Sequence, residues 1–185
     1  KVLLLSGLAA SSLLLVACTF YKPLRALAPE TFGLTCTPDN ICVEDTARIA
    51  EATLLRDDAL SFVAANVGPL EEPPRVLFCS SEDCFAQFGN PAVAAFYFMG
   101  LDTLLINDKG WHDYILRHEF IHHWQVDQFG PVRSSRLPRW YFEGMAYSLS
   151  KDPRDPLPRP DIQEWRAQFN AWVEEGNDWR HPPQP

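Results

Sequence analysis

Apolar positions recur along this chain with two different periods, and the switches between them predict its elements. Over 45–66, Ile49, Ala52, Ala59, Leu60 and Val63 (with Val67 just beyond) share one face of a helix that Asp45 or Thr46 can cap. Gly68-Pro69 stops that helix, and Glu71-Glu72-Pro73-Pro74 reads as loop. The short apolar run 75–79 reads as a strand, followed by a short helix opened by Ser80 or Ser81 and closed by Gly89. Two further apolar runs, 94–99 and 103–107, read as strands joined by a turn at Gly100-Leu101-Asp102. Helical spacing then resumes over 112–128 and, after a polar loop at 130–137, over 138–150. Pro138 suits the first turn of that second helix, where its missing N–H costs nothing. The prolines of 152–160 make that stretch irregular. A last helix over 161–175 carries Ile162, Trp165, Phe169 and Trp172 at spacings of three and four, a stripe expected to pack on the core.

Composition adds bounds to this pattern. At 185 residues, with 46% hydrophobic content, the chain holds one domain with a real core. That domain is expected over 43–185, with 22–42 (Pro23, Pro29, Pro38) as linker and lead-in. A net charge of −8 without any basic cluster argues against a nucleic-acid surface. Val2 to Tyr21 carry no charge, and two readings of that stretch compete. Leu15-Val16-Ala17-Cys18 resembles a bacterial lipobox, in which Cys18 is lipidated and the domain is tethered to a membrane. Alternatively the stretch is an uncleaved anchor, since 20 residues of helix span about 30 Å. The lipobox is favoured, because Ser6, Gly7, Ser11 and Ser12 weaken the anchor's hydrophobicity. Both place the domain on the extracytoplasmic face of a bacterial envelope. Four further cysteines, Cys36, Cys42, Cys79 and Cys84, suit an oxidising compartment. Of three possible connectivities the near-neighbour one is expected, Cys36 with Cys42 and Cys79 with Cys84.

The candidate chemistry sits in His118-Glu119-Phe120-Ile121-His122. Positions i and i+4 of a helix share a face, so both imidazoles can meet one metal ion. Glu119, about 100° around the helix, is placed to reach a water as general base rather than to ligate. A third ligand is expected from Glu143, within Trp140-x-x-Glu143-Gly144-x-Ala146. Two histidines and a glutamate leave one position open, the arrangement of hydrolytic zinc sites. In these two motifs the chain resembles the gluzincin zinc metallopeptidases, in particular the compact peptidase-MA-like group, over roughly residues 90–150. The resemblance implies an α+β zincin-like fold, a small sheet packed on the HExxH helix and on a second, glutamate-bearing helix. It implies one Zn2+ per chain held by His118, His122 and Glu143, and a peptide or protein substrate in the envelope.

One strand of the 94–107 pair would hold that peptide as an added strand. Tyr147, Tyr141, His123 and Arg139 are candidates to stabilise the oxyanion, and His123 reads equally as a packing residue (its i+4 spacing from Glu119 also places it to orient that carboxylate). Many gluzincins carry an aspartate where this chain has Tyr147, so a partner for the zinc histidines must come from elsewhere, Asp102, Asp108 and Asp113 being upstream. Gly144 and Ala146 are expected to let the two metal helices approach. Phe120, Ile121, Trp124 and Phe142 are expected to be core, and Trp140 either core or cleft wall. His112 and His181 read as surface residues. Two other functions compete with the peptidase: a noncatalytic, zinc-stabilised envelope module that binds peptide, and a zinc hydrolase of a non-peptide amide.

Overall fold

The computed structural model describes residues 21–183; the Val2–Phe20 stretch, with Cys18, lies outside the described residues. The chain is α+β, a small mixed sheet with several helices. The strands are β1 (Thr35–Cys36), β2 (Ile41–Val43), β3 (Arg75–Phe78), β4 (Ala95–Phe98) and β5 (Thr103–Ile106). Their order across the sheet is β1-β2-β3-β5-β4. The three central strands run parallel, while β1 and β4 are antiparallel edges. Central parallel strands are covered on both faces, so they read as unbroken apolar runs. Leu104, Leu105 and Ile106 are accordingly all fully buried.

Alternation along these strands divides the core in two. Ile41, Val43, Val76, Phe78, Leu104 and Ile106 point to the larger cluster. Cys42, Leu77, Cys79 and Leu105 point to the smaller one. Among the described residues there are six α-helices: α1 (Ile49–Asn66), α2 (Glu82–Phe88), α3 (Asp113–Phe129), α4 (Pro131–Ser134), α5 (Arg139–Leu149) and α6 (Pro160–Glu174). The larger cluster joins α1, α3, α5 and α6, and the smaller one holds Phe85 and Phe88 of α2. Helix α1 is preceded by a single 3-10 turn whose first N–H groups Asp45 caps, accepting from Ala47 N at 3.0 Å. Ser81 caps α2 by accepting from Cys84 N, and Gly89 closes it. Both disulfides are the near-neighbour pairs, Cys36–Cys42 and Cys79–Cys84.

The structure departs from the sequence reading in four places. Residues 22–42 do not form a bare linker: β1 and most of β2 lie there, and Ala26 and Leu34 are buried in the smaller cluster. Within the 130–137 loop, Pro131–Ser134 form one helical turn. Pro138 is the residue that opens α5 rather than its first helical one, and its carbonyl accepts from Tyr141 and Phe142 N. Gly144 does not serve the approach of α3 and α5. A Cβ there would lie 2.3 Å from the Trp165 carbonyl and 2.9 Å from the Phe169 Cβ, so glycine is needed for α5 to lie against α6. The stripe on α6 does pack inward, with Ile162 and Phe169 buried. Trp140 packs there too, edge-on to Trp172.

Candidate metal centre

Helix α3 carries His118 and His122 one turn apart, with their Nε2 atoms 3.1 Å from each other. Helix α5 delivers Glu143 to the same point: its Oε2 lies 3.6 Å from His118 Nε2 and 3.5 Å from His122 Nε2. Three ligand atoms from two helices thus converge, and the group can hold a metal ion. Its orientation is fixed from behind. Gln125, fully buried, donates its NH2 to the Phe142 carbonyl at 3.0 Å, which turns its Oε1 to His122 Nδ1 at 2.8 Å. His122 therefore carries its proton on Nδ1 and presents a lone pair on Nε2. Phe142 lies flat against the His122 ring, with centroids 4.3 Å apart.

Burial works against the Glu143 carboxylate, but the imidazoles of His122 and His118 outweigh it and hold the carboxyl well below its usual range. Burial likewise opposes charge on His122, and Glu143 reverses this, raising the imidazole above its ordinary value. Three acceptors around one point attract a cation of any kind, whether a metal ion or a proton. Glu119, 7% exposed, is also buried beside them. Its carboxyl is pushed up by burial, a shift that the two imidazoles oppose and Glu143 reinforces. Arg139 reaches the other Glu143 oxygen, Oε1, at 3.3 Å from a largely exposed position. Tyr147 meets the His118 ring edge-on at 4.3 Å. Burial first, then Glu143 and Glu119, push its hydroxyl up to about 12.

The remaining candidates sit elsewhere. Tyr141 is fully buried among Phe129, Phe169 and Trp172, and its hydroxyl donates to the Trp179 carbonyl. His123 faces away from the metal group: Nδ1 lies 2.7 Å from Asp102 and 3.2 Å from the Tyr97 hydroxyl, and Nε2 lies 2.8 Å from the Glu72 carbonyl. It is thus held as a packing residue, away from Glu119. None of the three upstream aspartates is bonded to His118 or His122 among the described residues; Asp102 holds His123, and Asp113 pairs with Arg117. The residue that does this work, Gln125, lies three positions after His122 on the motif helix, and no motif marks it in the sequence. His112 and His181 are exposed. Glu44, Cys79 and Cys84 also cluster, but the two sulfurs are joined and the carboxylate accepts from Ser80 N and Ser81 Oγ. Comparison with protein-family models, with curated proteins and with solved structures returns no match.

Proposed function

We propose that this chain is a zinc-dependent peptidase of gluzincin type with a zincin-like fold, acting on peptide or protein in a bacterial envelope. The observation that carries the reading is the convergence of His118, His122 and Glu143 beside a buried Glu119. Tetrahedral zinc, with bonds of about 2.0–2.2 Å to nitrogen and oxygen, sets its ligand atoms roughly 3.3–3.5 Å apart. The three separations here run from 3.1 to 3.6 Å. The donor set therefore fits. Bound there, zinc supplies Lewis acidity toward a carbonyl oxygen and acidifies water.

The chain's own residues do the rest. Glu119, its basicity raised by burial, accepts the proton of the attacking water and returns it to the departing nitrogen. Tyr147 keeps its proton throughout the neutral range and its ring lies against His118, so it donates to the developing oxyanion. Gln125 fixes the ring of His122. Among the described residues no strand lies beyond edge strand β4, so a substrate peptide can pair along it.

Two disulfides support an extracytoplasmic place. Tethering is assigned to the N-terminal stretch, where Leu15-Val16-Ala17-Cys18 resembles a lipobox; no helix of the described residues is long and apolar enough to cross a membrane. The test is metal content and turnover in parallel. The unaltered chain should hold one zinc, Glu143→Ala should lose it, and Glu119→Gln should keep it while losing hydrolysis. Undiminished turnover in Glu119→Gln would remove the general base, and with it the mechanism.

A further inference from the structure

Tyr147 belongs to two places at once. Its ring touches His118, and it also lines an open cavity of about 430 Å3, within the size range of ligand pockets. The cavity therefore opens one side chain away from the metal-ligating group. Its other walls come from the loop after α5 (Asp152, Asp155) and from α6 (Gln163, Arg166, Asn170).

The charges in this cavity are already matched. Both oxygens of Asp152 accept from Arg154. Arg166 donates to Asp155 Oδ1, to the Arg154 carbonyl and to Gln163 Oε1, each at 3.0 Å. An anionic guest meets Asp155 and a cationic one meets Arg166, so a charged guest would have to separate a pair that already exists. The uncharged groups are only half used. Ser148 donates to Asn170 Oδ1, and Leu157 N donates to Gln163 Oε1. Both side-chain oxygens are thereby taken. Among the described residues, the NH2 groups of Asn170 and Gln163 have no protein partner, nor does Asp155 Oδ2.

Several donors and one acceptor around a neutral floor match a carboxamide, whose oxygen accepts and whose NH2 donates. We propose that this cavity is a recognition subsite for an uncharged carboxamide side chain, that of Asn or Gln, carried by the substrate peptide near the bond that is cleaved. The peptidase reading supplies what that side chain is attached to; the chemistry of the pocket stands apart from it. A carboxylate in the same place meets Asp155, and an apolar group leaves the donors without partners.

The experiment measures binding apart from turnover. Peptides that differ only in one residue (Gln, Glu or Leu), placed in turn at each position, are titrated into the full chain carrying Glu119→Gln and loaded with zinc. The Gln peptide should bind about tenfold more tightly than the other two. Asn170→Leu, at an exposed position of α6, should bring the Gln peptide down to the level of the Leu peptide, with unchanged zinc content as the check on folding. Equal affinities for the three peptides, a preference untouched by Asn170→Leu, or no binding of any of them would overturn the subsite. Turnover by the unaltered chain separates the two ideas. Selective binding without hydrolysis keeps the subsite and removes the peptidase, whereas hydrolysis with no Gln preference does the reverse.

Discussion

His122 and His123 are neighbours on α3, both are buried, and both have carboxylates within reach, yet their surroundings are opposite in kind. Around His122 the partners converge: a second imidazole nitrogen and a glutamate oxygen crowd the same point. Around His123 they are dispersed: Asp102 and Tyr97 on one side of the ring, the Glu72 carbonyl on the other. A dispersed set satisfies both N–H groups of an imidazolium, so the protein completes itself. A convergent set of acceptors repels itself until a cation enters. Proximity of histidine and carboxylate therefore says little by itself; the direction of the lone pairs separates a metal group from an internal ion pair.

The sharpest way to break this comparison is to remove each ring in turn. His122→Ala should lower zinc affinity by roughly three orders of magnitude, one ligand's part of the 10–16 kcal/mol typical of a complete site. Its fold should survive, as read by circular dichroism. His123→Ala should do the converse. Zinc stoichiometry is retained, and stability in urea falls by about 2–4 kcal/mol through lost buried hydrogen bonds and the cavity left behind. Identical behaviour of the two variants would erase the distinction. A smaller effect is expected at Gln125. Gln125→Leu keeps the volume but frees the His122 ring, and zinc affinity should drop roughly 10- to 100-fold with the ligands intact.

The smallest effect is that of pH on the dispersed set. Burial disfavours charge on both Asp102 and His123, but their mutual hydrogen bond wins, lowering the first and raising the second. A lowered carboxyl contributes stability above its unfolded value of about 3.8 and loses it as pH falls further. A raised imidazole contributes below about 6.5 and loses it as pH climbs through its folded value. The stability difference between the unaltered chain and Asp102→Asn should therefore be greatest between about pH 4 and 6.5 and fade on both sides. Asp127, 3.5 Å from the same ring, is pushed up by its own burial and takes back part of the gain once ionised. A flat difference across pH 3–9 would mean that the ion pair contributes nothing.

Much of this was readable in the sequence where the information is local. The one-turn spacing of His118 and His122 follows from helix geometry alone, and the longer helices and the runs that became β3, β4 and β5 follow from apolar periodicity. Glu143 was reachable through its motif, and the structure brings it within 3.6 Å of both histidines. What stayed hidden depends on contacts distant in sequence. Strands of two and three residues, as β1 and β2 are, carry no period to detect, and only their neighbours in the sheet define them. Gln125 looked like any polar residue until the Phe142 carbonyl fixed its amide. Gly144 looked like a spacer for α3, because nothing in its own segment revealed that α6 would cover it.

The bond from Tyr141 to the Trp179 carbonyl has a consequence for the protein's birth. Both histidines lie on a helix that ends at Phe129, whereas the glutamate helix is held by α6, which ends only at Glu174, and is tied further on to Trp179. At synthesis rates of about 5–20 residues per second, several seconds separate the two. For most of that interval Glu143 is already made but its helix lacks the α6 surface that it packs on, so the proposed site can hold metal only weakly. Maturation is then timed by the tail: a chain cut before α6 keeps every proposed ligand, yet should load zinc poorly.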